Sequence, residues 1–220
     1  MYNELDSRAL GRADCYAQRF MRAGNYPYNV VPGFGQALTS DYRFSIYVED
    51  GKKEKKDKKV VNMKQHDLRV SVEAKDFTVS AATLTIAVGD MVVWNGGGEI
   101  PFAVVGQHDF FNSHRMVNEC GFSHAFGKAG EYHWCDAFGS KLSGVVRVRD
   151  PDCGKDADLR KWREMLVKGT VVMISDGKAD KADLEILTGQ TVFFALVKTP
   201  GISITDKRML ENAYRPACVD

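Results

Sequence analysis

Cys120, His124, His133, Cys135 and Asp136 lie close together in this 220-residue chain and offer thiol, imidazole and carboxylate donors. Those are the groups that bind zinc, copper or nickel. The spacing of Cys120 and His124 fits a turn, but nothing in the pattern holds that pair and the pair His133 and Cys135 in one coordination shell. The cysteines, at 15, 120, 135, 153 and 218, form no CxxC pair, so neither a zinc framework nor a disulfide framework is read from them. The expectation is no cofactor and no resident metal, with Cys120, His124, His133 and Cys135 as the alternative metal site. Asp136 either is a lone buried acid, with its pKa raised by desolvation, or faces solvent. His108 and His114 flank Phe110 and Phe111 in a segment of surface character. No nucleophile elbow, phosphate-binding loop or paired-carboxylate signature occurs, which points to a protein that is not an enzyme.

The elements that would position these groups are mostly strands. Alternating apolar residues predict strands at 42–49, 67–73, 83–88, 90–95, 101–106, 131–136 and 144–149, then at 169–174, 183–187, 190–197 and 202–205. Gly96-Gly-Gly98 marks a turn. Two helices are predicted, one over 6–21 with Asp6 as cap, the other over 158–167 with Leu159, Trp162, Met165 and Leu166 on one stripe. The Lys-rich run at 51–61 carries interspersed acids and reads as a solvated loop. Lys plus Arg (30) balance Asp plus Glu (29), so no bulk attraction to nucleic acid or to an anionic membrane is expected. No stretch reaches the ~18 apolar residues that would span a bilayer. The start, Met1-Tyr-Asn-Glu-Leu-Asp6, lacks a basic region followed by an apolar one, and a cytoplasmic location is expected on that ground.

Two segments carry a family likeness. Leu84-Thr-Ile-Ala-Val-Gly89-Asp90-Met-Val-Val-Trp94 leads to Pro101-Phe102, and Gly130-Glu-Tyr132-His-Trp134-Cys135-Asp136 leads to Leu142-Ser-Gly144. Together they resemble the two halves of a cupredoxin, the blue copper fold. The resemblance implies an all-β protein of Greek-key sandwiches. It also implies copper ligands at Phe102, Asp136, Gly139 and Leu142, none of which forms the required set of two imidazoles, a thiolate and a thioether. Cys135 stands one residue early, which on a strand is the opposite face.

The likeness recurs. Residues 72–94 align without a gap on 172–194, with identities at Val72/Val172, Asp76/Asp176, Ala82/Ala182, Leu84/Leu184, Ile86/Ile186, Gly89/Gly189 and Val92/Val192. Phe20 to Val30 aligns on Phe126 to Asp136. Ordered as in the family, these pieces predict an intact sandwich at 62–150, a split one made of 15–50 plus 165–212, and a linker at 151–164. A half-sandwich leaves unpaired edges, so the halves must close within one chain or between chains. The function expected is a copper-free structural or assembly subunit acting through protein–protein contacts, with itself by sheet completion or within a larger complex. The alternatives are a metal-binding or electron-transfer protein with a non-standard site, and an accessory domain of a copper enzyme.

Overall fold

Residues alternate cleanly where one face of a strand is buried. Phe44, Ile46 and Val48 point inward from Phe44–Glu49, while Tyr47 and Glu49 face solvent. A computed structural model describes residues 4–35, 41–50, 63–74 and 76–212; the Lys-rich run at 51–61 lies outside them. Among the described residues the protein is all-β with two α-helices. Its first half holds β1 (Asp14–Arg19), β2 (Gly24–Pro32), β3 (Phe44–Glu49), β4 (Gln65–Glu73), β5 (Asp76–Val79), β6 (Thr83–Ala87), β7 (Met91–Gly96) and β8 (Phe102–Gly106). The second holds β9 (Cys120–Ala125), β10 (Gly130–Cys135), β11 (Ser143–Arg149), α1 (Asp156–Lys168), β12 (Thr170–Ser175), β13 (Lys178–Ala179), β14 (Asp183–Leu187), β15 (Thr191–Lys198), β16 (Thr205–Asp206) and α2 (Lys207–Asn212).

Three sheets form. Two have four strands, in the orders β6-β3-β2-β8 and β14-β11-β10-β16. The third has eight, in the order β13-β12-β15-β9-β1-β7-β4-β5. Each small sheet packs on the same face of the large one: the Tyr28 ring meets Trp94 edge-on at 5.4 Å, and Trp134 meets Phe194 at 5.3 Å. The inward residues form one continuous core.

This pairing corrects the expected domain boundaries. Each sandwich is built from contiguous chain, β1–β8 and β9–β16, and not from 62–150 with a split 15–50 plus 165–212. β3 pairs with β6 and β2 with β8, so the 15–50 segment closes with the strands that directly follow it. β11 pairs with β14 and β10 with β16 in the same way. Front and back halves alternate along the chain, so repeats alone fit either grouping; these pairings decide it, and β1 and β9 then join the two units. These strands lie antiparallel at the seam, with Tyr16 opposite Phe122 and Asp14 opposite His124. The two units are related there by a pseudo-two-fold, and the half-sheets meet within one chain.

Two further expectations change. The helix predicted over 6–21 is a coil followed by β1. Ala9, Tyr16 and Phe20 have helical spacing, but the Gly11 amide donates to Asp14 Oδ2 at 2.7 Å, closing a turn, and β1 then pairs on both sides. Tertiary pairing overrides the local period. The gap-free repeat also fails on β4: Val172 pairs with Phe194, whereas Leu68, not Val72, pairs with Trp94. The predicted second helix is present as α1. Gly89 and Gly189, both at positive φ, make the equivalent β6–β7 and β14–β15 turns, which explains their identity.

Candidate functional site

The four positions that resemble copper ligands do not converge. Phe102 is buried in the first unit, paired on β8 with Pro32. Asp136, Gly139 and Leu142 belong to the turn between β10 and β11 in the second. Within its own unit Asp136 lies against Ser203, whose amide donates to Oδ1 at 2.9 Å. The Phe138 amide donates to the same oxygen at 3.1 Å and that of Ser140 to Oδ2 at 3.2 Å. Asp136 is therefore buried and organises a turn through backbone amides. Gly139 serves the turn at φ +83, and Leu142 joins the core.

The alternative donor set is dispersed as well. Cys120 and His124 lie on β9 in the large sheet, whereas His133 and Cys135 lie on β10 in a small one. Burial pushes the Cys120 thiol up to about 12. Burial, with the Asp136 charge beside it, also raises Cys135. Neither is poised to ionise as a thiolate ligand. His133 is exposed and lies 3.5 Å from Glu131. His124 has a different role: its Nδ1 is 2.6 Å from Asp14 Oδ1, with both side chains almost wholly buried. Desolvation raises the Asp14 pKa, opposed by the His124 contact and the Gly11 amide. The pair joins β1 to β9 across the seam. Among the described residues, no group of three or more His, Cys, Asp or Glu is placed to hold a metal ion.

The outer face of the large sheet holds the feature with most functional content. Cross-strand partners there form two rows. One runs Val171, Phe193, Ser123, Cys15, Asn95, Arg69; the other runs Met173, Ala195, Gly121, Ala17, Val93, Asp67. Over the first unit the rows end in polar side chains. Over the second they end in apolar ones: Val171 and Met173 are each 48% exposed, and Val197 beside them is 44% exposed. Phe193 lies across the backbone of Gly121, where a Cβ would come within 2.3 Å of its ring. The seam between the two ends is lined by small residues, with Cys15 Sγ hydrogen-bonded to Ser123 Oγ.

Sequence reasoning singled out none of these residues, although a signal was present. Val171-Val-Met-Ile174 and Val192-Phe-Phe-Ala-Leu-Val197 are apolar without alternation, the mark of strands buried on both faces. β4 alternates instead, as Asp67-Leu-Arg-Val70.

Comparison with protein-family models, with curated proteins and with solved structures gives no match. Among the described residues no helix is long and apolar enough to cross a membrane.

Proposed function

We propose that the protein is a non-catalytic, copper-free, cupredoxin-like assembly subunit that associates with a second copy of itself through the outer face of β12 and β15. One observation carries this reading: the chain is apolar on both faces of these strands, and it covers one. Association is by sheet face, which revises the expected completion of sheet edges. The edges at β13, β5 and β14 are short or charged. β13 and β5 end the large sheet with Lys178 and Asp76. β14 presents Asp183 and Glu185, paired with Arg147 and Arg149. Short, charged edges resist strand addition. The face made by Val171, Met173, Phe193, Ala195 and Val197 carries no charge, so two copies can bury it against each other about a two-fold axis without stranding an ion.

The test is sedimentation velocity over a wide range of concentration, on the wild type and on Val171→Lys/Met173→Lys. The expected result is a concentration-dependent dimer for the wild type and a monomer with an unchanged melting curve for the variant. A wild type that stays monomeric, or a variant that dimerises equally well, overturns the reading.

A further inference from the structure

A second feature lies on the pseudo-two-fold, away from the β12 and β15 face. The lead-in segments of the two units cross there. Asp6 bridges to Thr205 of the second unit and Asn112 to Val105 of the first. Each opens the same turn: the Arg8 amide donates to Asp6 Oδ1 at 3.0 Å, and the His114 amide to Asn112 Oδ1 at 2.8 Å. Arg8 and His114 therefore occupy equivalent places on either side of a cavity of about 470 Å³, within the size range of small-molecule sites.

The walls come from both units. The Arg8 guanidinium lies over the Phe34 ring at 5.3 Å, and that of Arg115 over Phe138 at 5.4 Å. Both rings are half exposed. Arg8 is held by a two-pronged contact to buried Asp6, with Nε at 2.9 Å and Nη2 at 2.8 Å. Arg115 has no ion pair among the described residues and rests on the backbone of Gly201, where a Cβ would lie 2.7 Å from its Nε. The Nε2 atom of His114 is buried and has no hydrogen-bond partner among the described residues. A buried polar atom left unpaired is costly, and a ligand group can satisfy it. Phe34 and Asp109, both in the wall, adopt left-handed φ of +63 and +53, a strain that gathers at binding sites.

We propose that this cavity binds a small organic carboxylate on a flat apolar body, the oxyanion held by Arg115 and His114 Nε2 and the body lying between Phe34 and Phe138. Arg115 supplies planar, charge-assisted donors that match a carboxylate. Asp109 stands on the rim, one oxygen accepting from Asn112 Nδ2 at 3.2 Å, and its charge selects against dianions. Burial lowers the His114 pKa, and the Arg8 charge adds to that; the Arg8 carbonyl, Asp6 and Asp109 act the other way. Arg115 on the same segment is the remaining charge in the wall. A bound carboxylate draws the pKa back up, so affinity rises as pH falls.

The probe is benzoate, titrated into the full chain with the His114 ring resonances and binding heat as readouts. Benzyl alcohol and inorganic phosphate serve as comparisons. Benzoate is expected to saturate with a shift of the His114 resonances, more tightly at lower pH. Arg115→Gln is expected to weaken it about tenfold, the loss of one charge-assisted contact. Benzyl alcohol binding as well as benzoate would overturn the oxyanion assignment. Phosphate binding as well as benzoate would overturn the carboxylate assignment. Full affinity in Arg115→Gln, or no shift at His114, would overturn the site.

Discussion

The two units share one topology and differ at a few informative places. Where the first unit packs Tyr28 against Trp94 and Phe44, the second packs Trp134 against Phe194 and Gly144. The large ring has changed strands, and Gly144 gives the room that Trp134 needs. Among the described residues, buried polar atoms without a partner remain on each side, at Tyr28 Oη and Trp94 Nε1 in the first unit and at Trp134 Nε1 in the second. Core composition is thus conserved in bulk while its parts move, as close packing requires. The outer faces are not conserved in that sense. β4 carries Asp67 and Arg69 where β12 carries Met173 and Val171, so one outer face is polar and the other apolar.

The seam offers the sharpest way to break this arrangement. Asp14 and His124 lock one end of the β1–β9 pair; the symmetry-related end holds Gln18 and Cys120. Asp14→Ala leaves a buried imidazole unpartnered and is expected to cost about 3–5 kcal/mol in chemical denaturation, with both units unfolding together. Loss from one unit alone would contradict a shared sheet. Gly144→Ala comes next. The added Cβ would meet the Ala182 carbonyl at 2.0 Å and the Trp134 ring at 2.7 Å, and overpacking of this kind costs about 1–3 kcal/mol; thermal melts and the Trp134 fluorescence report it. A change from Phe44, its counterpart, would open a void instead.

Acid separates the units more gently. The turn before β7 is clasped by Asp90, which faces His66 at 2.9 Å; Gln190 has its place in the second unit. Burial pushes the Asp90 pKa up, but the His66 hydrogen bond and the Lys64 and Ala87 amides outweigh it, and the carboxyl lies below its ordinary value. A lowered folded-state pKa adds stability above the unfolded value, and that stability is lost as pH falls through the folded one. Asp90→Asn is therefore expected to flatten the acid limb of the stability curve, with little change in that limb for Gln190→Asn. The smallest effect is expected from Val171→Lys/Met173→Lys on the stability of the isolated chain, within about 0.5 kcal/mol as for other exposed positions, while its association is lost.

The sequence made the strands and the repeats legible wherever one face is buried and the other wet. β3, β6 and β14 read directly from alternation, and α1 from its apolar stripe. β1 was hidden because it lies between two neighbours and carries small residues on its outer side, so its period gives no signal. The order of the halves was hidden for another reason. Residues 107–119 connect β8 to β9, and the strand pairings inside each unit, β3 with β6, β2 with β8, β11 with β14 and β10 with β16, distinguish the groupings. The cavity was less legible still. Arg8, Phe34, His114 and Phe138 are far apart in sequence, and their meeting depends on the crossing of the lead-in segments. The apolar runs of β12 and β15 were in plain view, and their excess over what one sandwich can bury is the part of the sequence that points outward.

The most direct test compares two methionines of equal exposure. Met173 on the outer face of β12 and Met21 in the first unit are each 48% exposed. In hydroxyl-radical footprinting as protein concentration rises, Met173 is predicted to become protected while Met21 oxidises at a constant rate. Equal oxidation of both at every concentration would contradict the claim that the second unit's outer face is where this protein meets its copy.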